Sequence, residues 1–401
     1  MIILNKSIPE GWKTCTLSDI GKLTSGFALK SEFFGQVGTK VLIPKNFTKN
    51  GKANFTESNT IYSTEEVDDK FYCRNGDLLI LLTDLTLSCE LLGRPVVLEN
   101  LEDQIILNQR IVKVEVNENV IDKIFLSNYF LSHEYLKYIK RTASGSTVRH
   151  SSNKTLLKSI IPLPPLPEQK KIAQILTTWD TAIEKTEQLL TQLRRRKQGL
   201  MQRLLSGKQR LPGFEGEWEE VQLGEVVTII NGKAYKKEEL LSSGKYRVLR
   251  VGNLFTNSSW YYSDLELDEK KYIESGDLIY AWSASFGPRF WEEEKVIYHY
   301  HIWKIVTSDA ISKFYLYFFL DFDAQSILSK IQGGTMAHLT KGDMEKRKFK
   351  LPSLKEQTSI ATILSQADQE IEKTENYLTK LREQKKGLMQ ELLTGQRRVK
   401  V

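Results

Sequence analysis

Two stretches of the chain carry one hydrophobic rhythm. Ile172, Leu176, Trp179, Ile183, Thr186, Leu190, Leu193, Lys197, Leu200 and Leu204 alternate spacings of four and three without a slip. Ile360, Leu364, Ala367, Ile371, Thr374, Leu378, Leu381, Lys385, Leu388 and Leu392 repeat it. Such spacing averages 3.5 residues, the period of a coiled-coil seam. The polar breaks fall at matching places, Thr186 with Thr374 and Lys197 with Lys385, where they would fix register at some cost in stability. Pro165 and Pro167 suit a first helical turn. Ser353 with Glu356 fits a capping box, and Gly207 and Gly395 are natural stops. Each helix should run about 38 residues, or roughly 57 Å at about 1.5 Å per residue. Gly199 and Gly387 interrupt both, at about 1 kcal/mol relative to alanine. Their retention in both copies suggests close packing of a partner chain there.

The rhythm belongs to a longer internal repeat. Glu168-Gln169 answers Glu356-Gln357, and Gly199-Leu200-Met201-Gln202 answers Gly387-Leu388-Met389-Gln390, at a constant offset of 188 residues. Roughly 25 of about 43 positions from Glu168 to Arg210 are identical in the second copy, too many for chance. The match extends back through Ser146 to His150 and Gly334 to His338. Weaker echoes open each half: Trp12, Leu17 and Gly26 against Trp218, Leu223 and Gly232, then Gly76-Asp77-Leu78 against Gly276-Asp277-Leu278. Between these anchors the halves diverge.

The predicted organisation is a variable domain at 1–163, a helix at 164–206, a linker at 207–217, a second variable domain at 218–351, a helix at 352–395 and a basic tail at 396–401. Short apolar runs at Leu78 to Leu82, Ile111 to Val116, Leu278 to Trp282 and Ile302 to Val306 read as strands. Ile124 to Ile139 and Ile311 to Ile331 read as helices. The fold class is α+β: two mixed α/β domains joined by two long antiparallel coiled-coil helices with approximate two-fold symmetry.

Charge adds one hint. Lys plus Arg is 57 against 50 for Asp plus Glu, a net +7, compatible with a polyanionic partner. Cys15, Cys73 and Cys89 form no CxxC pair, which argues against a zinc knuckle or disulfide framework. No stretch approaches the roughly 20 apolar residues of a membrane helix, and no signal peptide is visible. The expected location is the cytoplasm.

Catalytic signatures are absent from the sequence. Gly232-Lys233-Ala234 lacks the glycine spacing and hydroxyl of a Walker A loop. Pro164-Pro165-Leu166 lacks the amide and aromatic of an amino-methyltransferase tetrad. Glu293 with Lys295 is the sort of short charged pattern that arises by chance. His299 and His301 could share a strand face, but no third metal ligand has clear spacing. No catalytic residue, metal site or cofactor of the chain's own is expected.

Taken together, the order variable–conserved–variable–conserved resembles the specificity subunits of type I restriction–modification systems. The matching residues are the Pro162 to Gln169 stretch, its second copy Leu351 to Gln357, Lys-x-Gly-Leu-Met-Gln in both helices, and the Trp12 and Trp218 openings. The resemblance covers essentially the whole chain. It implies that each variable domain reads one half of a split double-stranded DNA target and that the helices set the gap. It also implies docking of methyltransferase subunits, two by expectation, and of restriction–translocase subunits. S-adenosylmethionine, ATP and magnesium would belong to those partners. The alternative is a two-headed protein-binding scaffold with no DNA readout.

Base readout needs side chains that reach groove edges, with others holding phosphates. The first-domain candidates are Lys30, Lys45, Asn46, Arg94, Asn108, Gln109, Arg110, Thr147, Arg149 and His150. The second-domain candidates are Lys233, Tyr235, Arg250, Asn253, Ser283, Arg289, His301, Thr335, His338 and Lys341. The run Arg194 to Lys197 could hold phosphates but reads better as a solvated or partner-facing helix flank.

Overall fold

A computed structural model describes residues 9–84, 88–146, 148–255, 257–283, 285–330 and 339–401. It contains two compact units. The first holds the chain up to Thr186 together with Tyr377–Val401, and the second holds Glu187–Asn376. Each unit therefore owns one variable domain, half of one long helix and half of the other. The two helices span Leu166–Leu204 and Leu354–Leu393.

In the first unit a four-stranded antiparallel sheet runs in the order Gly21–Ser25, Ile111–Val116, Leu78–Leu81, Pro95–Val97. Successive side chains point to opposite faces of a strand, and here both faces are covered. Leu78 and Ile80 enter a cluster with Val112, Phe125 and Phe130, while Leu79 and Leu81 enter another with Ile105, Leu107 and Ile111. That second cluster lies under a five-stranded sheet in which Ile105–Leu107 runs parallel to Thr39–Leu42. The first cluster reaches into the long helices through Ile172, Leu176 and Leu392.

The second unit repeats this plan. Val227–Asn231, Ile302–Thr307, Leu278–Ser283 and Ser285–Phe290 make an antiparallel sheet. Val296–Tyr298 runs parallel to Tyr246–Leu249 in the other sheet. Leu278 and Tyr280 face the helix side, packing with Leu204, Ile360 and Leu364, and Ile279 faces the opposite cluster. The expected strands thus form within a residue or two of their predicted ends. The predicted helix Ile124 to Ile139 is instead two, Lys123–Phe130 and His133–Thr142. Ser132 breaks it by capping the second, accepting from the Tyr135 N–H.

Each unit contains an antiparallel helix pair. In the first, Glu168 at the start of one helix meets Arg398 just past the end of the other, and Asp180 meets Lys385 at 2.5 Å. In the second, Glu356 meets Arg210 and Asp368 meets Lys197 at 2.6 Å. The two seam lysines thus each have a carboxylate at the equivalent place. The hydrophobic seam positions are buried or half-buried, including Trp179, Ile183, Leu190, Leu193 and Leu200 in the first helix and Ile371, Leu378, Leu381 and Leu388 in the second. Gly207 and Gly395 stop the helices at φ +69° and +71°, a left-handed conformation that costs glycine nothing.

One expectation about the helices changes. Ser353 does accept from the Glu356 N–H, but the Glu356 carboxylate does not complete a capping box. It binds both Arg210 and the indole N–H of Trp218. The basic run is an exposed flank that carries surface ion pairs across the helix pair. Arg194 and Arg196 pair with Glu375 and Glu370, and Lys197 with Asp368. A methyl group added at Gly199 or Gly387 would meet nothing within 4 Å, so neither glycine is needed for packing within the chain.

Candidate DNA-facing site

The Glu-Gln pair of the repeat is a joint between domain and helix. Glu168, almost wholly buried, accepts from the Trp12 indole at 3.1 Å and from Arg398 at 2.7 and 2.9 Å. Burial opposes its ionisation, but the bonds from Arg398 and Trp12 outweigh that and hold the carboxyl below the usual range. Gln169 donates to the carbonyls of Val120 and Pro164 and accepts from the Asp122 N–H. Gln357 makes the same three bonds to Ala310, Pro352 and Ser312. These residues fix how each domain sits on its helix pair.

A different edge of each domain presents side chains outward. In the first unit the turn Asn108-Gln109-Arg110 joins two strands that belong to different sheets. Its backbone is locked from both sides. Across a bridge to Asn108, the Phe27 N–H donates to the Leu107 carbonyl and the Gln109 N–H donates to the Phe27 carbonyl, and the Leu82 N–H donates to the Arg110 carbonyl. Gly26 lets this happen: a Cβ there would stand 2.1 Å from the Asn108 oxygen. Beyond Leu82, the strand pair Thr83–Asp84 and Arg149–His150 continues the edge, with His150 Nδ1 3.0 Å from the Thr83 hydroxyl. Gln109 and Arg110 are exposed, and among the described residues neither side chain has a hydrogen bond or ion pair.

The second unit builds the same turn from different side chains, His299-Tyr300-His301. Across a bridge to His299, the Lys233 N–H donates to the Tyr298 carbonyl and the Tyr300 N–H donates to the Lys233 carbonyl, and the Trp282 N–H donates to the His301 carbonyl. Gly232 serves as Gly26 does, its added Cβ lying 2.4 Å from the Tyr298 and His299 oxygens. Trp282 donates its indole N–H to the Tyr300 carbonyl and packs against His301 at 5.0 Å. Tyr235 stacks on His299 at 6.4 Å. Burial, His301 and Arg250 together push the His299 imidazole down to about 4. It is therefore a neutral donor and acceptor near pH 7.

The predicted residues divide accordingly. Asn108, Gln109, Arg110, Arg149 and His150 converge on one edge, and Lys233, Tyr235, Arg250, Ser283 and His301 on the equivalent edge. Lys30 and Lys45 are exposed on separate loops. Arg289 is exposed and lies over Phe255 at 5.3 Å. Lys341 pairs with Glu345. Four candidates have side chains bonded inward, among them Arg149, whose guanidinium donates to the carbonyls of Gly145 and Lys140 although its strand lies on the edge. Asn46 is fully buried, and its amide binds Ile43, Asn54 and Asn59. Asn253 holds its loop in the same way through Arg250, Asn257 and Ser259. Arg94 donates to the carbonyls of Glu90 and Lys49. Thr147, Thr335 and His338 lie outside the described residues. A cavity of about 620 Å³ beside Gly76, Lys123 and Lys170 holds none of the candidates.

Sequence reasoning missed Trp282 and Tyr300, and read His299 as a core or DNA-facing side chain in preference to a metal ligand without naming it among the contact candidates. The available signal was the Gly26/Gly232 pair. A glycine kept at matching points of two diverged domains marks a close backbone approach, and the chain it approaches is the turn.

Two units of one plan, each built on an antiparallel helix pair, define the class to which comparison with known proteins assigns the chain. The chain belongs to the family of the type I restriction modification DNA specificity domain, whose model matches residues 9–195 and 215–380. It is 28% identical over 321 residues to the type I restriction enzyme MjaVIII specificity subunit of Methanocaldococcus jannaschii, covering 74% of this chain and 75% of that protein. It is 27% identical over 211 residues to the EcoBI specificity subunit of Escherichia coli, covering 50% and 40%. The fold matches a type I restriction-modification S subunit from M. genitalium with a TM-score of 0.60 at 18% identity, over 98% of both chains. Among the described residues no helix is long and apolar enough to cross a membrane.

Proposed function

We propose that this chain is the DNA-reading, non-catalytic subunit of a type I restriction–modification complex. Each variable domain reads one half of a bipartite, asymmetric duplex target, and the paired helices set the gap and dock the methyltransferase subunits. S-adenosylmethionine, ATP and magnesium are held by the methyltransferase and restriction–translocase partners. The observation that carries this is the duplicated edge: one backbone frame, used twice, offers outward side chains of different chemistry. Two unlike readers in one chain suit an asymmetric target, where a true homodimer would suit a palindrome.

Binding would rest on neutralised phosphates and selection on base contacts. The test is retention of duplex DNA by the chain with its methyltransferase subunits, at rising salt, against competitor. The expected result is affinity that falls steeply with salt, with a specific duplex surviving competition. Binding indifferent to salt, or equal for all duplexes, would favour a protein-binding scaffold instead.

A further inference from the structure

The two turns invite a sharper assignment, which rests on the DNA-reading proposal above. We infer that Asn108-Gln109-Arg110 and His299-Tyr300-His301 are the specificity-determining tips of the two domains, and that Arg110 reads a guanine in the first half-site.

The argument is one of matched frames. Both tips are held by a main-chain bridge to the residue after a glycine, Phe27 in one and Lys233 in the other. In both, the third residue's carbonyl accepts from the strand that follows the Gly-Asp-Leu anchor, through Leu82 or Trp282. In both, the glycine N–H bonds the residue just after the tip, Ile111 or Ile302. The bonds of this shared frame are all main chain to main chain, so it requires no particular side chain at the second and third tip positions; at the first, Asn108 Oδ1 also accepts from the Arg110 N–H at 3.3 Å. What differs is the chemistry displayed. One tip offers two amides and a guanidinium, the other two imidazoles and a phenol. Domains that share a scaffold and read different sequences should differ where they touch bases, and here the difference sits on a rigid, outward turn.

Arg110 is exposed and, among the described residues, its side chain has no hydrogen bond or ion pair. A guanidinium has the fork that matches guanine O6 and N7 in the major groove. The second tip carries no permanent cation, so it selects through neutral imidazole hydrogen bonds and ring contacts. Its rings continue inward from Tyr300 and His301 through Trp282 to Trp303, which holds the tip stiff.

The experiment uses the full chain with its methyltransferase subunits and a pool of duplexes with a random core, sequencing those retained. Wild type, R110A and the H299N/Y300Q/H301R variant are compared. The expected result for R110A is loss of a guanine preference of roughly 10- to 100-fold at one position of one half-site, with the other half-site unchanged. The triple variant should alter only the other half-site. An R110A motif identical to that of wild type would overturn the tip assignment while leaving DNA reading intact. A wild-type complex that enriches no motif would overturn DNA reading itself. Unfolding midpoints equal to wild type would confirm that R110A acts at the DNA surface, and a lowered midpoint with both half-sites blurred would count against the assignment.

Discussion

The two units hold their domains to the helices in the same way and display different things at their edges. Trp12, Glu168 and Arg398 in one unit match Trp218, Glu356 and Arg210 in the other, bond for bond. Arg110 at one tip is matched by His301 at the other. The joint is buried, and its carboxylate must satisfy an indole and a guanidinium at once. Replacing any partner would leave another unpaired. At the tips Gln109, Arg110 and Tyr300 are exposed and Asn108, His299 and His301 half-buried, and the bonds that hold both turns to their domains run between main-chain groups. On the proposed DNA-reading role, selection for a new target could rewrite the tip without touching the fold, while the joint stays fixed.

That contrast can be tested from its strongest point downward. Glu168→Ala and Glu356→Ala should each destabilise their own unit by about 3 kcal/mol, the low end for breaking a buried charge pair because the arginines are partly exposed. Hydrogen exchange resolved along the chain should locate each loss in one unit. Equal losses in both units from a single substitution would contradict the reading of two separate joints.

A smaller effect is expected at the glycines. Gly26→Ala and Gly232→Ala place a Cβ against main-chain oxygens at 2.1 and 2.4 Å, and the strands must give way. Overpacking of this kind costs about 2 kcal/mol. Because the strain falls on the tip, sequence preference in that half-site should weaken while binding to phosphates persists. Retained preference with full stability in either variant would show that the glycine does not lock its turn.

The smallest expected effect is a difference with pH. His299 titrates near 4 in the folded chain against about 6.5 when unfolded. The fold thus favours its neutral form. As pH falls from about 6.5 to about 4, the unfolded chain takes up a proton that the folded chain refuses, and stability drops. Below about 4 the loss levels off. For a half-exposed ring this amounts to about 1 kcal/mol after solvent screening. Asn108, at the same place in the first unit, does not titrate. Asp321, whose pKa is raised mainly by burial, works in the opposite direction within the second unit. The clean comparison is therefore wild type against His299→Asn, whose stability should be flatter across that window. Parallel pH curves for the two proteins would remove the neutral-imidazole account of the second tip.

How far the sequence revealed all this follows from what leaves a periodic trace. The helix pair was legible because a 3.5-residue seam repeats over ten positions in each copy, and the glycine stops stand where the rhythm ends. The strands were legible as short apolar runs. Glu356 was misread because its partners, Trp218 and Arg210, are distant in the chain, whereas the local Ser-x-x-Glu pattern is visible at a glance. Asn46 and Asn253 were misread for the same reason: an amide looks identical in sequence whether it faces a groove or staples its own loop. Helix Ile124 to Ile139 was drawn through Ser132 because the apolar spacing survives a cap that restarts the helix.

The most direct test of the account exchanges one display and leaves everything else. The segment Asn231 to Lys350 would be replaced by its counterpart from another specificity subunit, and methylated positions mapped across the genome of cells that also carry the methyltransferase subunits. The account predicts that one half of the methylated motif changes, and that the other half and the gap stay as they were. An unchanged motif, or a change in both halves, would contradict it.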